Sequence, residues 1–328
     1  QDTLKFSGKV IEILKNAQFR VRLDNGHQTE INLINPGDDP ADLELQIIEG
    51  DSPALVKELI LPAKGVVRLD VATFFEITEI APEAYLSVTS DFEVAGFQFI
   101  KTPGGDLLGM NGLSTSEQLT NLYFPQVAVL GPWETNLGLV NYSTEPVILT
   151  ISVFKPDGTL YDSNDLQNNP VTRSLNGQAS LLEDVEAMFG FNGAETLEGW
   201  IHVESTAAAV NGYISYGVPG TGSLGAVTAI SQGQSRAIFS HIGTTQGFFT
   251  GVAILNAAAL ATDVRILALD PSGEVLGSFD TFLQPGQRIS KLINDLIPAA
   301  DNQNGGLIWI KSQIPVYLTS LFGTSKVL

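Results

Sequence analysis

Apolar side chains recur along this chain in two rhythms, and the same order of rhythms appears three times. A strand-like alternation that closes on asparagine before a polar turn reads TEINLINPGDDPA from Thr29, TNLGLVNYSTEPV from Thr135 and TGVAILNAAALAT from Thr250. The closing residues are Asn35, Asn141 and Asn256, and a phenylalanine stands 16 or 17 residues ahead of each: Phe19, Phe124 and Phe239. The second rhythm is helical. Val67, Val71, Phe74 and Phe75 match Leu181, Val185, Met188 and Phe189, and both sets match Ile289, Ile293, Leu296 and Ile297. Each set is spaced i, i+4, i+7, i+8, which is one face of an α-helix. The spacing predicts short amphipathic helices over 67–75, 181–189 and 289–297. Gly65, Gly177 and Gly286 stand before them, and Pro298 ends the third.

A third signal is a strand followed closely by another. YLSVTS from Tyr85, WIHVES from Trp200 and LIWIKS from Leu307 precede VAGFQF from Val94, VNGYISY from Val210 and VYLTSLF from Val316. That spacing predicts a hairpin in each copy. A second hairpin is predicted earlier in the repeat. ILTISVF meets TLYDS across Lys155-Pro156-Asp157-Gly158, and VRILAL meets EVLGSF across Asp270-Pro271-Ser272-Gly273. Proline at i+1 and glycine at i+3 suit a type I turn. The first copy has Glu49-Gly50-Asp51-Ser52 there.

A repeat of about 105 residues with some seven strands and one helix predicts a mainly β protein. Its natural packing is three tandem antiparallel β-sandwich modules, each with one short amphipathic helix that caps an open end or covers an edge. The expected modules are 1–115, 116–233 and 234–328, with 1–17 as an extra N-terminal strand segment that pairs in the first module or with a neighbouring molecule. Polar stretches at 114–120 and 231–235 form the expected links. A length of 328 residues is consistent with two or three domains.

Composition narrows the class. With 44% hydrophobic and 16% charged residues the chain can build cores, so disorder is not its main state. Against 17 basic residues stand 36 acidic ones, a formal net charge of −19 that repels phosphate backbones. Nucleic acid is therefore not an expected partner. There is no cysteine, which removes disulfides and thiolate chemistry, and no apolar run long enough for a membrane-spanning helix. Beginning at Gln1 without methionine suggests processing and export, hence an extracellular or cell-surface location.

On its Asn-turn anchor and its helix followed by a Trp- or Leu-initiated strand, the repeat resembles the tandem Ig-like β-sandwich modules of secreted and cell-surface bacterial proteins. That resemblance implies a structural or adhesive role. Separately, GKVIEILKNAQFRVRLDNGH from Gly8 to His27 resembles the first strands of bacterial translation initiation factor one, an OB-fold ribosome binder. From Asn35 the chain follows its own repeat instead.

Candidate chemistry is sparse. Gly220 to Gly225 is formally GxGxxG, but the strand-like AVTAI follows it where a dinucleotide site needs a helix. His27, His202 and His241 fall in three unrelated contexts, without the paired spacing of metal ligands. No GxSxG elbow occurs. Asp157, Asp162 and Asp165 surround one turn and are weak calcium candidates; solvated turn acids are the plainer reading. Aromatics offer more. If Ile201 and Val203 face a core, then Trp200 faces away, as do Tyr85 and Trp309 in their copies. Such rings, with Trp133, either stack on sugars or lie beneath a helix or neighbouring module. The expectation is a non-catalytic extracellular structural or adhesive repeat protein, with protein partners or self-assembly through sheet edges and no cofactor. A carbohydrate-binding array using Tyr85, Trp200, Trp309 and Trp133 is the alternative.

Overall fold

The computed structural model describes residues 14–324 except 22, 24–26, 51, 106, 115–119, 131–132, 192–195 and 219–223. It is an all-β fold of antiparallel sheets. The first stretch forms β1 (Leu14–Arg20), β2 (Gln28–Ile34), β3 (Ala41–Glu49), β4 (Ser52–Leu61), β5 (Val66–Asp70), α1 (Val71–Phe75), β6 (Tyr85–Lys101), β7 (Leu107–Asn111) and β8 (Leu113–Ser114). The second forms β9 (Asn121–Leu130), β10 (Glu134–Asn141), β11 (Val147–Phe154), β12 (Val171–Leu175), β13 (Ser180–Asp184), α2 (Val185–Phe189), β14 (Thr196–Ser205), β15 (Val210–Gly217) and β16 (Leu224–Thr228). The third forms β17 (Gln234–Phe239), β18 (Phe248–Leu255), β19 (Thr262–Leu269), β20 (Val275–Leu283), β21 (Arg288–Leu292), α3 (Ile293–Leu296) and β22 (Leu307–Thr324).

One pairing scheme runs through all three stretches. β1, β9 and β17 pair with β6, β14 and the start of β22. β3, β11 and β19 pair with those same strands, and on their other side with β4, β12 and β20. β2, β10 and β18 pair with β5, β13 and β21, and also with the end of β6, β15 and the end of β22. In the first and third stretches the long strand is continuous, so it ties both sets into single sheets of eight and six strands. In the second it breaks between β14 and β15, leaving two four-stranded sheets.

Two sequence expectations are corrected. The strand pairs at Tyr85, Trp200 and Leu307 are not hairpins but successive lengths of one strand, or strands in different sheets. β6 and β22 run unbroken through both halves, and β14 and β15 take partners in different sheets, so the halves never pair with each other. The predicted helices are also shorter than their apolar stripe. Val67, Leu181 and Ile289 lie in β5, β13 and β21, and helix begins only at Val71, Val185 and Ile293. The ladder to β2, β10 and β18 takes the backbone groups of the first half. Asp70 and Asp184 then start the first two helices by accepting from Thr73 N and Ala187 N, both at 2.8 Å.

The predicted turns form, with Gly158 N donating to Lys155 O and Gly273 N to Asp270 O, each at 3.0 Å. In the second stretch, however, TLYDS makes only a bridge between Phe154 and Leu160, and β11 takes β12 as its partner. Asp51, in the equivalent first turn, lies outside the described residues, as do 1–13 of the expected N-terminal strand. Leu14–Arg20, inside the initiation-factor-like segment, is β1 of the repeated scheme.

The chain divides into two compact units. One is Gln1–Gln118 with Val140–Glu145 and Asn176–Ser180; the other is Leu119–Leu139, Pro146–Leu175 and Leu181–Leu328. The first has a core around Phe19, Ile31, Leu45 and Leu86. The second buries Phe124, Leu137, Ile201 and Phe189 from the second stretch, and Ile254, Ile266, Ile293 and Ile308 from the third.

Candidate functional site

The anchor asparagines are fully buried, and their side chains stitch the same two turns in every copy. Asn35 Nδ2 donates to the carbonyls of Asp39, Leu61 and Pro62 at 2.8, 3.1 and 3.2 Å, while its Oδ1 accepts from Gly37 N at 2.8 Å. Asn256 repeats this with Leu260, Leu283 and Gln284 at 2.8, 3.0 and 3.2 Å, and with Ala258 N at 3.1 Å. Asn141 donates to Glu145 and Asn176, both at 2.8 Å, and accepts from Ser143 N at 3.1 Å. Full hydrogen bonding is what makes a buried amide tolerable.

Two of the turns so held, those of Asn141 and Asn256, are the heads of joints. Lys64, Gln178 and Gly286 occupy the same turn position, the third residue after Leu61, Leu175 and Leu283, with φ of 55°, 60° and 76°. In the first unit, Tyr85 Oη donates to Gln178 O at 2.9 Å, and Ser180 Oγ donates to Glu83 O at 2.5 Å. Ile48, Tyr85 and Val140 form a small buried cluster. Inside the second unit the arrangement recurs with larger groups. Trp200 Nε1 donates to Gly286 O at 3.0 Å, and its ring stacks on Phe154 at 4.1 Å and 8°. Arg288 stands where Ser180 does, and Glu198 where Glu83 does. Arg288 Nη2 meets Glu198 Oε1 at 2.6 Å, and Nη1 donates to Gln126 Oε1.

This joint excludes water on the arginine side. The Arg288 side chain is 1% exposed and Glu198 50%. Burial works to lower the arginine's pKa, and the Glu198 carboxylate opposes it. Two glycines meet across the joint. A Cβ on Gly158 would lie 2.7 Å from the Gly286 carbonyl carbon, and both residues have positive φ, so neither position admits a side chain without strain. Tyr216 Oη donates to Gln126 O at 2.5 Å, and burial pushes its pKa up. Tyr123 packs on Tyr317 at 4.1 Å and stacks on His202 at 4.7 Å. His202 Nε2 bonds Asn121 Oδ1 at 2.8 Å, and burial lowers its pKa. Beside the joint lies a half-open cavity of about 320 Å³, lined by Tyr216, Val227, Phe249, Leu292 and Leu321 among others.

The aromatic alternation is as read, but the fate of the rings differs. Tyr85 and Trp200 are buried, 3% and 5% exposed, because turns far along the chain cover them. They are therefore withdrawn from any sugar-stacking surface. Trp309 and Trp133 are half-buried. Trp309 lies on a sheet face next to an open groove of about 650 Å³ lined by Arg265, Asp280, Phe282, Lys311 and Gln313. The turn acids are engaged separately. Asp157 Oδ1 accepts from Thr159 N at 2.9 Å, Asp162 Oδ1 from Asn164 N at 2.8 Å, and Asp165 pairs with Lys155 at 2.9 Å. Among the described residues no group of three or more His, Asp or Glu side chains is placed to hold a metal ion. Residues 220–223 of the glycine motif lie outside the described residues, and Gly225 is in β16. No helix among the described residues is long and apolar enough to cross a membrane.

Sequence reasoning passed over Arg288, Glu198 and Gln126. The available signal was an arginine just ahead of the Ile289 stripe, where the other copies carry Val66 and Ser180.

No family model matches the chain. Among solved structures it is similar to a Streptomyces avermitilis alpha-L-rhamnosidase complexed with L-rhamnose, at 8% identity over 91% of this chain and 43% of that one, with a TM-score of 0.16. It is also similar to the structure of infectious bursal disease virus Gx strain, at 9% identity over 96% and 72%, with a TM-score of 0.13. The chain spans less than half the length of the rhamnosidase. At those scores neither likeness carries an argument.

Proposed function

We propose that this chain is a non-catalytic structural repeat protein of three tandem antiparallel β-sandwich modules, working outside the cell or on its surface as an adhesive or assembled component. One observation carries the reading. Trp200, Arg288 and Glu198, side chains well suited to chemistry, are spent on joining the second stretch of the chain to the third. A joint of buried aromatic, glycine pair and an ion pair with a buried arginine suits a protein that holds shape. The −19 charge accords with a soluble surface. Fractionation of the source cells tests this: the protein is expected with the envelope or medium and open to protease on intact cells. Recovery from the cytosol alone would contradict it.

A second reading has one observation of its own. Trp309, half-buried, stands two residues along β22 from Lys311, which lies opposite Arg265 and lines an open groove with it and Asp280. A ring beside planar polar groups is a way to hold a sugar. Glycan-array binding that Trp309→Ala abolishes would favour it.

A further inference from the structure

In the first two stretches one sheet face is covered by the turn that opens the following stretch's β13 or β21. The equivalent face of the third stretch has no such turn upon it among the described residues, and the equivalent turn of the first stretch covers no such face. On the third face Leu307 pairs with Leu269, where Trp200 pairs with Phe154 and Tyr85 with Ile48. Farther along the same face Ile238 lies opposite Trp309, and Arg236 opposite Lys311. Ile238, Arg236 and Lys311 are exposed. The first-stretch turn has the complementary features. Lys64 has the same positive φ as Gln178 and Gly286. Val66 is 67% exposed at the place where Ser180 and Arg288 are engaged. Asp39 stands exposed in the adjoining turn that Asn35 holds, beside Asp38, which pairs with Lys64 at 3.0 Å.

We infer that a second copy of this chain docks its residues 64–66 turn onto the third-stretch face carrying Leu307 and Trp309, head to tail. The inference rests on the reading of the joints as structural. It reuses a geometry the chain builds twice, it covers an exposed valine with leucine and tryptophan, and it sets Asp39 against Arg236 and Lys311. Leu307 brings no ring N–H or hydroxyl to the Lys64 carbonyl, so the contact is weaker than the joints within the chain. Being heterologous, it propagates into open chains or closed rings.

Sedimentation velocity of the full chain over a wide concentration range tests it. The wild type is expected to sediment faster as concentration rises, and less so in high salt. Val66→Glu and Leu307→Glu should each abolish the rise with melting temperatures unchanged. Mixing Val66→Lys with Leu307→Glu should restore a two-chain complex. Leu307→Trp, which installs the missing ring, should tighten association about tenfold. A wild type that stays single at every concentration, or association indifferent to both glutamate variants, overturns the inference. So does sugar binding at Trp309 by a chain that never self-associates. Each of those outcomes leaves the structural reading standing if the second and third stretches still unfold together.

Discussion

The most informative residues in this fold are asparagines. Each of Asn35, Asn141 and Asn256 is buried among carbonyls from a turn 4 residues ahead and from another 26 to 35 residues on. Replacing one strands several buried carbonyls at once, which costs far more than one net hydrogen bond. Asn256→Ala should lower unfolding free energy by about 3 kcal/mol, seen as an earlier urea midpoint. Asn256→Asp should also be destabilising, because an ionised carboxylate would face Leu260 and Leu283 carbonyls. Tyrosines set an alkaline limit. Burial pushes the pKa of Tyr85 and of Tyr123 from 10.0 to about 12, with the neighbouring Tyr317 and Glu204 adding to the effect at Tyr123. The folded chain thus keeps protons that the unfolded chain releases. Stability should be complete below about pH 10 and fall as pH rises toward 12. Denaturant midpoints measured against pH should show that decline, and Tyr85→Phe and Tyr123→Phe should flatten it.

At the scale of elements, local signals and the ladder compete. The apolar stripe at 181–189 is helical in period, yet β13 takes its first half because β10 offers a hydrogen-bonded edge. Only the residues after Asp184 are left to coil, and that side chain supplies the start. Asp184→Ala should cost about 1 kcal/mol in thermal or urea unfolding, whereas α3, whose flanking Leu292 makes no side-chain cap bond, has nothing equivalent to lose. Much of the strand order was legible in the sequence, because alternation and turn glycines are local facts. The Asn141 anchor and the Asp270 turn were readable for that reason. The fate of Trp200 was not. Alternation gave the side of the sheet on which it stands, but what covers it is Gly286, 86 residues away. Arg288 was hidden for the same reason: beside Ile289 it looks like the polar edge of an amphipathic helix, and only the distant Glu198 gives it a role.

For the whole molecule, the recurring unit of construction is a turn seated on a sheet face, with an aromatic tip bonded to a carbonyl of positive-φ backbone. The second and third stretches share one compact unit, and the Trp200–Gly286 and Arg288–Glu198 contacts lie between them. If those contacts are the joint, the two stretches unfold as one cooperative block and come apart when the joint is weakened. Removing the ring leaves a cavity and an unbonded carbonyl, a loss of about 3–5 kcal/mol. The direct measurement is residue-resolved hydrogen exchange across a denaturant series on wild type and Trp200→Ala. The wild type should show strands of both stretches, such as β11 and β19, opening at a common free energy, and Trp200→Ala should separate them into two openings. Separate openings in the wild type, or a common opening that survives the loss of Trp200, would contradict the account.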